Sequence, residues 1–185
     1  DLNISKNWLM EFNTLKVRHH KKNLLNCNTL KKFYIRWFKN FIKNIDVAVS
    51  LEGVAALKNA FTNLPAIIFA AGPSLDEHIE KIKDIQDDFI IIAVDTSLKA
   101  LILGGIIPDF VILMDGQYFN YLHIAGIRAK ESVLVTEVAV YPSVFREEYM
   151  ATYLSSSFFP LGKYMEDFIE RKGALSAGGS VATTA

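Results

Sequence analysis

Three short apolar runs, Ala66–Ala71, Phe89–Val94 and Phe110–Met114, alternate with two stretches of helical character, from about Leu75 to Gln86 and from Thr96 to Leu103. Each run is free of charge, about the length of a strand, and rich in Ile, Val and Phe. That pattern suits strands covered on both faces, as in a parallel sheet. Each run also ends in small or polar residues: Gly72-Pro73-Ser74, Asp95-Thr96-Ser97 and Asp115-Gly116-Gln117. Ligands of open parallel α/β sheets bind beyond the carboxyl ends of the strands, so three chemical tips are predicted to line one crevice.

The pattern extends in both directions. Upstream, Leu30, Phe33, Tyr34, Trp37, Phe38, Phe41, Ile42 and Ile45 recur at the spacing of one helix face. Lys31, Lys32, Arg36, Lys39, Asn40 and Lys43 fall on the other side, and Asn28 is placed to cap the start. A basic face opposite an aromatic one suits a membrane surface or a partner groove, or a helix packed on its own protein with its charges in water. A second helix is predicted over Leu51–Phe61, stopping before Pro65. Downstream, Val133–Val138 reads as a fourth strand, Pro142 to about Leu154 as a helix, and Ser157–Phe159 as a short fifth strand. Tyr164–Arg171 reads as a helix with Met165, Phe168 and Ile169 inward.

Candidate chemistry gathers at the turns. Gly72, Pro73, Ser74 and Leu75 form a strand-to-helix turn where a phosphate can approach backbone N–H groups, with Ser74 as a helix cap or a donor to a phosphate oxygen. Asp95 is placed to accept from ribose hydroxyls or a base, or to cap the helix that follows it. Asp115 and Gln117 follow the third strand, and His123 is a candidate base that reads better as a helix-surface residue. Ser176, Gly178, Gly179 and Ser180 make a second small-residue turn at the threshold of a helix, suited to a phosphate or to close packing. Neither G-x-x-x-x-G-K-[ST] nor G-x-G-x-x-G occurs, which argues against an ordinary ATPase or an NAD enzyme. His19-His20 has no further ligand beside it, so no metal site is predicted there.

Charge changes this picture at one point. The chain is neutral overall, but residues 1–64 hold 11 Lys/Arg against 4 Asp/Glu, and residues 65–185 hold 9 against 16. The basic part could face an acidic partner or a membrane, or dock on the acidic part. Its basic residues sit on helices with no nucleic-acid reader motif, so no nucleic-acid partner is expected. One cysteine, Cys27, excludes an internal disulfide and fits a reducing compartment. No apolar run is long enough to span a membrane and no leader sequence is recognisable, so a cytoplasmic location is expected. A helical region over residues 1–64 and a nucleotide-binding α/β domain over residues 65–185 is the organisation these signals predict. The chain opens at Asp1 without Met and stops at Ala185 inside what reads as a starting helix, as a piece of a longer protein would.

Taken together, GPSL (Gly72–Leu75), AVDTSLKAL (Ala93–Leu101), GIIPDFVILMD (Gly105–Asp115) and SAGGSVATTA (Ser176–Ala185) resemble the central domain of the motility-associated factor (Maf) flagellin glycosyltransferases. That domain belongs to a wider group, DUF115, which includes the archaeal 6-hydroxymethylpterin pyrophosphokinase MptE. The group is similar in fold to the family-42 bacterial sialyltransferases. The resemblance implies a Rossmann-like, mostly parallel sheet flanked by helices, a CMP-activated nonulosonic acid (pseudaminic or legionaminic) as donor, and a flagellin Ser or Thr hydroxyl as acceptor. It implies that Gly72, Pro73, Ser74 and Leu75 touch the donor phosphate and ribose. Asp95 and Thr96 would line the nucleoside side, and Ser176, Gly178, Gly179 and Ser180 the other wall. Asp115 and Gln117 would face donor or acceptor, no metal would be needed, and the catalytic base would lie beyond Ala185, leaving this chain inactive alone. Two other functions stay open: ATP-dependent diphosphate transfer to a pterin alcohol, with Mg²⁺ on Asp95 and Asp115, and a non-catalytic module holding flagellin through the Leu30–Ile45 helix.

Overall fold

The computed structural model describes residues 31–157, 160–175 and 181–183. The chain divides into two compact units, Asp1–Ile35 and Arg36–Ala185. In the first, the described residues 31–35 are helical; the second carries the fold. The predicted Asn28 cap and the His19-His20 pair lie outside the described residues.

The apolar runs are strands: β1 (Ala66–Phe69), β2 (Ile90–Val94), β3 (Phe110–Leu113), β4 (Ala129–Glu137) and β5 (Tyr149–Ser155). They form one wholly parallel sheet in the order β1-β2-β3-β4-β5. Ahead of them, helical residues 36–43 (α1) turn at Asn44 into α2 (Ile45–Ser50). Between strands run α3 (Pro73–Ile85), α4 (Asp95–Leu103) and the short α5 (Tyr118–Tyr121), and α6 (Pro160–Glu166) follows β5. This is the α/β architecture that the alternation of strand-length and helical patterns predicts.

Every connection steps to the next strand in the same direction, and parallel crossovers are right-handed, so the helices between strands fall on one face. On that face Leu75 and Ile82 of α3 and Leu101 of α4 meet Ile91 and Ala93 of β2. Leu98 of α4 meets Val111, Leu113 and Leu134 of β3 and β4. Just past the end of β4, Phe41 of α1, Ala48 of α2, and Leu161 and Met165 of α6 pack around Val138. Over β1–β3 the face turned away from α3 and α4 opens into an apolar groove of about 530 Å³, lined among others by Val54, Phe61, Ile92, Phe110 and Leu175.

Local chemistry sets the ends of α4. Gly104 caps it, and Gly105 takes φ +79°, the left-handed region where a side chain is strained. The Ile106 N–H then donates to the Leu101 carbonyl at 2.9 Å and the Gly105 N–H to Ile102 at 3.0 Å. Ile106 buries against Leu101, which completes a Schellman stop. At the start of β3, the Asp109 carboxylate accepts the Ile91 N–H at 2.7 Å and its carbonyl accepts the Val133 N–H at 2.8 Å. Asp109 therefore fixes the register of β2, β3 and β4 from their amino ends.

Several expectations are corrected. The predicted helix over Leu51–Phe61 is a single 3₁₀ turn, Val54–Leu57, followed by tight turns. Asn59 and Asn63 adopt φ of +65° and +68°, which no helix accommodates. The predicted helix from Pro142 to Leu154 is a 3₁₀ segment, Pro142–Arg146, and then the fifth strand, β5, which ends at Ser155; of the predicted strand Ser157–Phe159 only Ser157 is among the described residues, and it is not in a strand. Pairing along β4 overrides a local spacing that suits a helix equally well. The last predicted helix begins and ends earlier, as α6, and Phe168 is 68% exposed, not inward. On α1 the buried stripe is rotated: Asn40 and Phe41 are buried while Phe38 and Ile42 are about half exposed.

Candidate functional site

The carboxyl ends of the strands lie nearly level. Phe69 pairs with Ala93, Val94 with Ile112, and Leu113 with Thr136, so the segments leaving β1, β2 and β3 emerge side by side. From this edge come Gly72-Pro73-Ser74-Leu75, Asp95-Thr96 and Asp115-Gly116-Gln117. Ser176, Gly178, Gly179 and Ser180 lie outside the described residues.

At the first tip Gly72 is the N-cap of α3 and Pro73 its first helical residue, where the missing N–H is no loss. Ser74 is therefore inside the first turn and is not the cap, because the helix begins before it. The Leu75 N–H turns back to the Gly72 carbonyl at 3.0 Å, and the Leu75 side chain is buried, so of this motif Leu75 anchors while Gly72, Pro73 and Ser74 are exposed. Gly72 needs no special backbone: its φ is −177°, ordinary extended chain. A Cβ there would meet only the Ser74 hydroxyl, at 4.0 Å. Nothing in the fold demands glycine, and its bareness leaves open the approach to the amino end of α3, where the macrodipole favours an anion.

At the second tip Asp95 is the first residue of α4 and only 3% exposed. Asn120 of α5 donates its side-chain amide to the Asp95 carboxyl at 3.4 Å. Burial, ahead of every other influence, holds that carboxyl above the usual carboxylate range; the Thr96 N–H, Asn120 and His123 pull it back down, and Asp115 pushes with burial. In the unfolded chain Asp95 ionises at the ordinary value, so folding is opposed by a penalty that is absent while the group is protonated in both states and grows as pH rises through the folded-state pKa. Asp95→Asn is accordingly expected to be more stable than the parent near neutral pH and equal to it at about pH 3. Denaturant midpoints at the two pH values check this, and a variant less stable at neutral pH would show a carboxylate held favourably in place.

Ser97, two residues on, is fully buried, its hydroxyl 2.7 Å from the Phe69 carbonyl and 2.9 Å from the Val94 carbonyl. It ties the end of β1 to the start of α4, so the serine of the Asp95-Thr96-Ser97 turn is structural, whereas Thr96 is exposed beside Asp95. At the third tip the Asp115 carboxylate accepts the Gln117 N–H at 2.9 Å and the Gln117 side-chain amide at 3.1 Å. This pair shapes the turn into α5. His123 is exposed in the turn that follows α5, as its sequence position suggests.

Two residues that the sequence pattern assigned elsewhere, or left unremarked, hold these loops. Asn40 donates to the carbonyls of Gly116 and Ala139 at 2.9 and 3.0 Å, and Asn44 to Val138 and Val140 at 2.8 and 3.0 Å. Both asparagines are buried and spend their amide protons on segments leaving β3 and β4. The spacing of Asn40, Phe41, Asn44 and Ala48 was the available signal, since it sets two amides within a buried stripe. The apolar groove over β1–β3 is not part of this site: Lys58 is its one charged side chain.

A wholly parallel sheet with polar residues gathered where its strands end, beside a glycine-initiated helix, defines an open α/β domain. The comparisons with known proteins agree with that fold class and place the chain in a family. The profile of the family described as 6-hydroxymethylpterin diphosphokinase MptE-like matches residues 39–185, and this chain belongs to that family. Three uncharacterised proteins of Treponema pallidum (strain Nichols) are similar to it. The first is 40% identical across 46% of this chain and 40% of its own length; the second is 34% identical across 42% and 23%. The third is 28% identical across 48% of this chain and 15% of its own length, so the chain spans less than half of each relative. Among solved structures, the Maf glycosyltransferase from Magnetospirillum magneticum AMB-1 superposes with a TM-score of 0.52 at 24% identity, over 73% of this chain and 20% of that one. That likeness shows the fold. Among the described residues no helix is long and apolar enough to cross a membrane.

Proposed function

We propose that this domain binds the CMP-activated nonulosonic acid donor (pseudaminic or legionaminic) of a cytoplasmic glycosyltransferase that modifies Ser or Thr hydroxyls of flagellin. The observation that carries the reading is the unneeded glycine. Gly72 has ordinary backbone geometry and open space where a Cβ would stand, directly at the start of a 13-residue helix. That bareness suits a phosphate resting on the Ser74 N–H and hydroxyl at the positive end of the helix. In this reading Asp95 and Thr96 line the nucleoside side, Asp115 and Gln117 shape the floor of the crevice, and Ser176, Gly178, Gly179 and Ser180 close the far wall. The acceptor hydroxyl, once deprotonated by a base, attacks the anomeric carbon of the sugar, the bond to the CMP phosphate oxygen breaks, and the configuration inverts. The Ser74 N–H and the amino end of α3 stabilise the charge developing on the departing phosphate. The reading assigns no general base among the described residues.

The family description supports a second reading, diphosphate transfer from ATP to a pterin alcohol, with Mg²⁺ on Asp95 and Asp115. Two observations weigh against that ion in our reading: burial disfavours the charged form of Asp95, and both Asp115 oxygens already accept from Gln117.

Calorimetry of CMP and ATP, each with and without Mg²⁺, separates the two. CMP should bind without metal. Gly72→Val, whose extended backbone accepts a β-branched residue, should leave stability within about 1 kcal/mol yet weaken CMP at least about tenfold, and Ser74→Ala should weaken it by several fold. ATP binding that needs Mg²⁺ and is lost on changing Asp115 would replace the first reading with the second.

A further inference from the structure

We infer that Asn120 is a ligand-contacting residue of this crevice, which together with Asp95 holds the vicinal hydroxyls of the donor's ribose. The inference rests on the nucleotide reading above and adds to it a residue from a different element and a chemical role. Asn120 lies 25 positions from Asp95 and reaches it only because α5 folds back against α4.

Of the two carboxylates at the crevice, Asp115 is committed to its own turn by two bonds of 2.9 and 3.1 Å from Gln117. The Asp95–Asn120 contact is different. At 3.4 Å it lies at the long end of hydrogen-bond geometry, so an arriving hydroxyl can share or replace it at little cost. The pair brings together two kinds of acceptor, the Asn120 carbonyl oxygen and the Asp95 carboxyl. A cis-diol offers two O–H donors, whereas a phosphate offers only acceptors and would be turned away from an ionised Asp95.

The test compares cytidine 5′-monophosphate with its 2′-deoxy analogue, by calorimetry, on the 185-residue protein and on Asn120→Ala and Asn120→Asp. The parent should prefer the ribonucleotide by about tenfold, the worth of one hydroxyl bonded to a charged or buried acceptor. Asn120→Ala should lower ribonucleotide affinity to that of the deoxy analogue and leave the deoxy analogue unchanged. Asn120→Asp sets a second carboxylate beside Asp95, and binding should then strengthen as pH falls, relative to the parent. Equal loss of both ligands in Asn120→Ala would show a merely structural residue and overturn the inference while leaving nucleotide binding intact. Undiminished preference for the ribonucleotide in that variant would overturn it as well. If the parent binds neither ligand, the nucleotide reading fails, and this inference with it.

Discussion

Replacing Asn44, at the turn between α1 and α2, by Asp should unfold this domain more readily than any isosteric change on either helix. The amide is 2% exposed and spends both protons on the Val138 and Val140 carbonyls at 2.8 and 3.0 Å. A carboxylate keeps the shape but replaces two donors with lone pairs aimed at two carbonyl oxygens. Each orphaned buried carbonyl costs about 1–3 kcal/mol, and the charge adds to that, so a loss of about 4 kcal/mol is expected. For a chain of this size the melting temperature should fall by about 10 °C. Asn44→Ala removes the donors without adding charge and should cost about 2–3 kcal/mol. The sign with pH follows from burial, which raises the new carboxyl's folded-state pKa. The penalty of Asn44→Asp relative to the parent is complete at neutral pH and shrinks as the carboxyl protonates, so the two proteins should converge towards acid. Chemical denaturation at neutral pH and near pH 4 reads both effects. A loss under about 1 kcal/mol would mean that the loops after β4 are held by something other than this amide.

Gly53→Ala should be nearly as damaging, for a steric reason. A Cβ on Gly53 would stand 2.6 Å from the Lys172 carbonyl carbon, and closer still to its oxygen and Cα. Backbone atoms cannot swing away as a side-chain end can, and Lys172 is fixed at several points. It is 3% exposed, its ammonium donates to the Leu51 carbonyl at 2.6 Å, and its own carbonyl accepts the Ala55 N–H at 3.0 Å. Gly53 also bridges to Leu154 of β5, so the added methyl would part the strand edge from the segment beside it. Overpacking against immobile backbone costs about 3 kcal/mol, or about 6–12 °C in melting temperature. A variant melting within about 2 °C of the parent would contradict the closeness of this contact.

These two positions also mark where the sequence was opaque. The first three strands and the helices α3 and α4 are legible because uncharged Ile/Val-rich runs stop at Gly, Pro, Asp or Ser, and nothing competes with that signal; the predicted Val133–Val138 marks only the second half of β4, which starts at Ala129 through the charged Lys130 and Glu131. β5 was not legible. Tyr149, Met150, Tyr153 and Leu154 fall at spacings that suit a helix face as well as a strand, and only β4 alongside decides between them. Leu51–Phe61 likewise carries apolar residues at helical intervals, but Gly53 is extended and Asn59 takes a left-handed φ, backbone that a helix lacks. Asn40 reads as one more polar residue among lysines, because burial of an amide depends on the carbonyls it will meet some hundred residues later. The strand tips were visible from turn chemistry alone. The pairing of Asp95 with Asn120 was not, since no local pattern couples a strand end to a side chain on the next crossover but one.

The central claim is that nucleotide meets this chain at the carboxyl ends of β1–β3, and the most direct measurement maps that contact. CMP titrated without metal into the ¹⁵N-labelled protein should shift the amide resonances of Gly72, Ser74, Leu75, Thr96, Gln117 and Asn120. Those of Lys58, Phe61 and Leu64, which line the groove on the opposite side of the sheet, should stay in place. Shifts confined to the groove, or no shift at any of the three tips, would contradict the account.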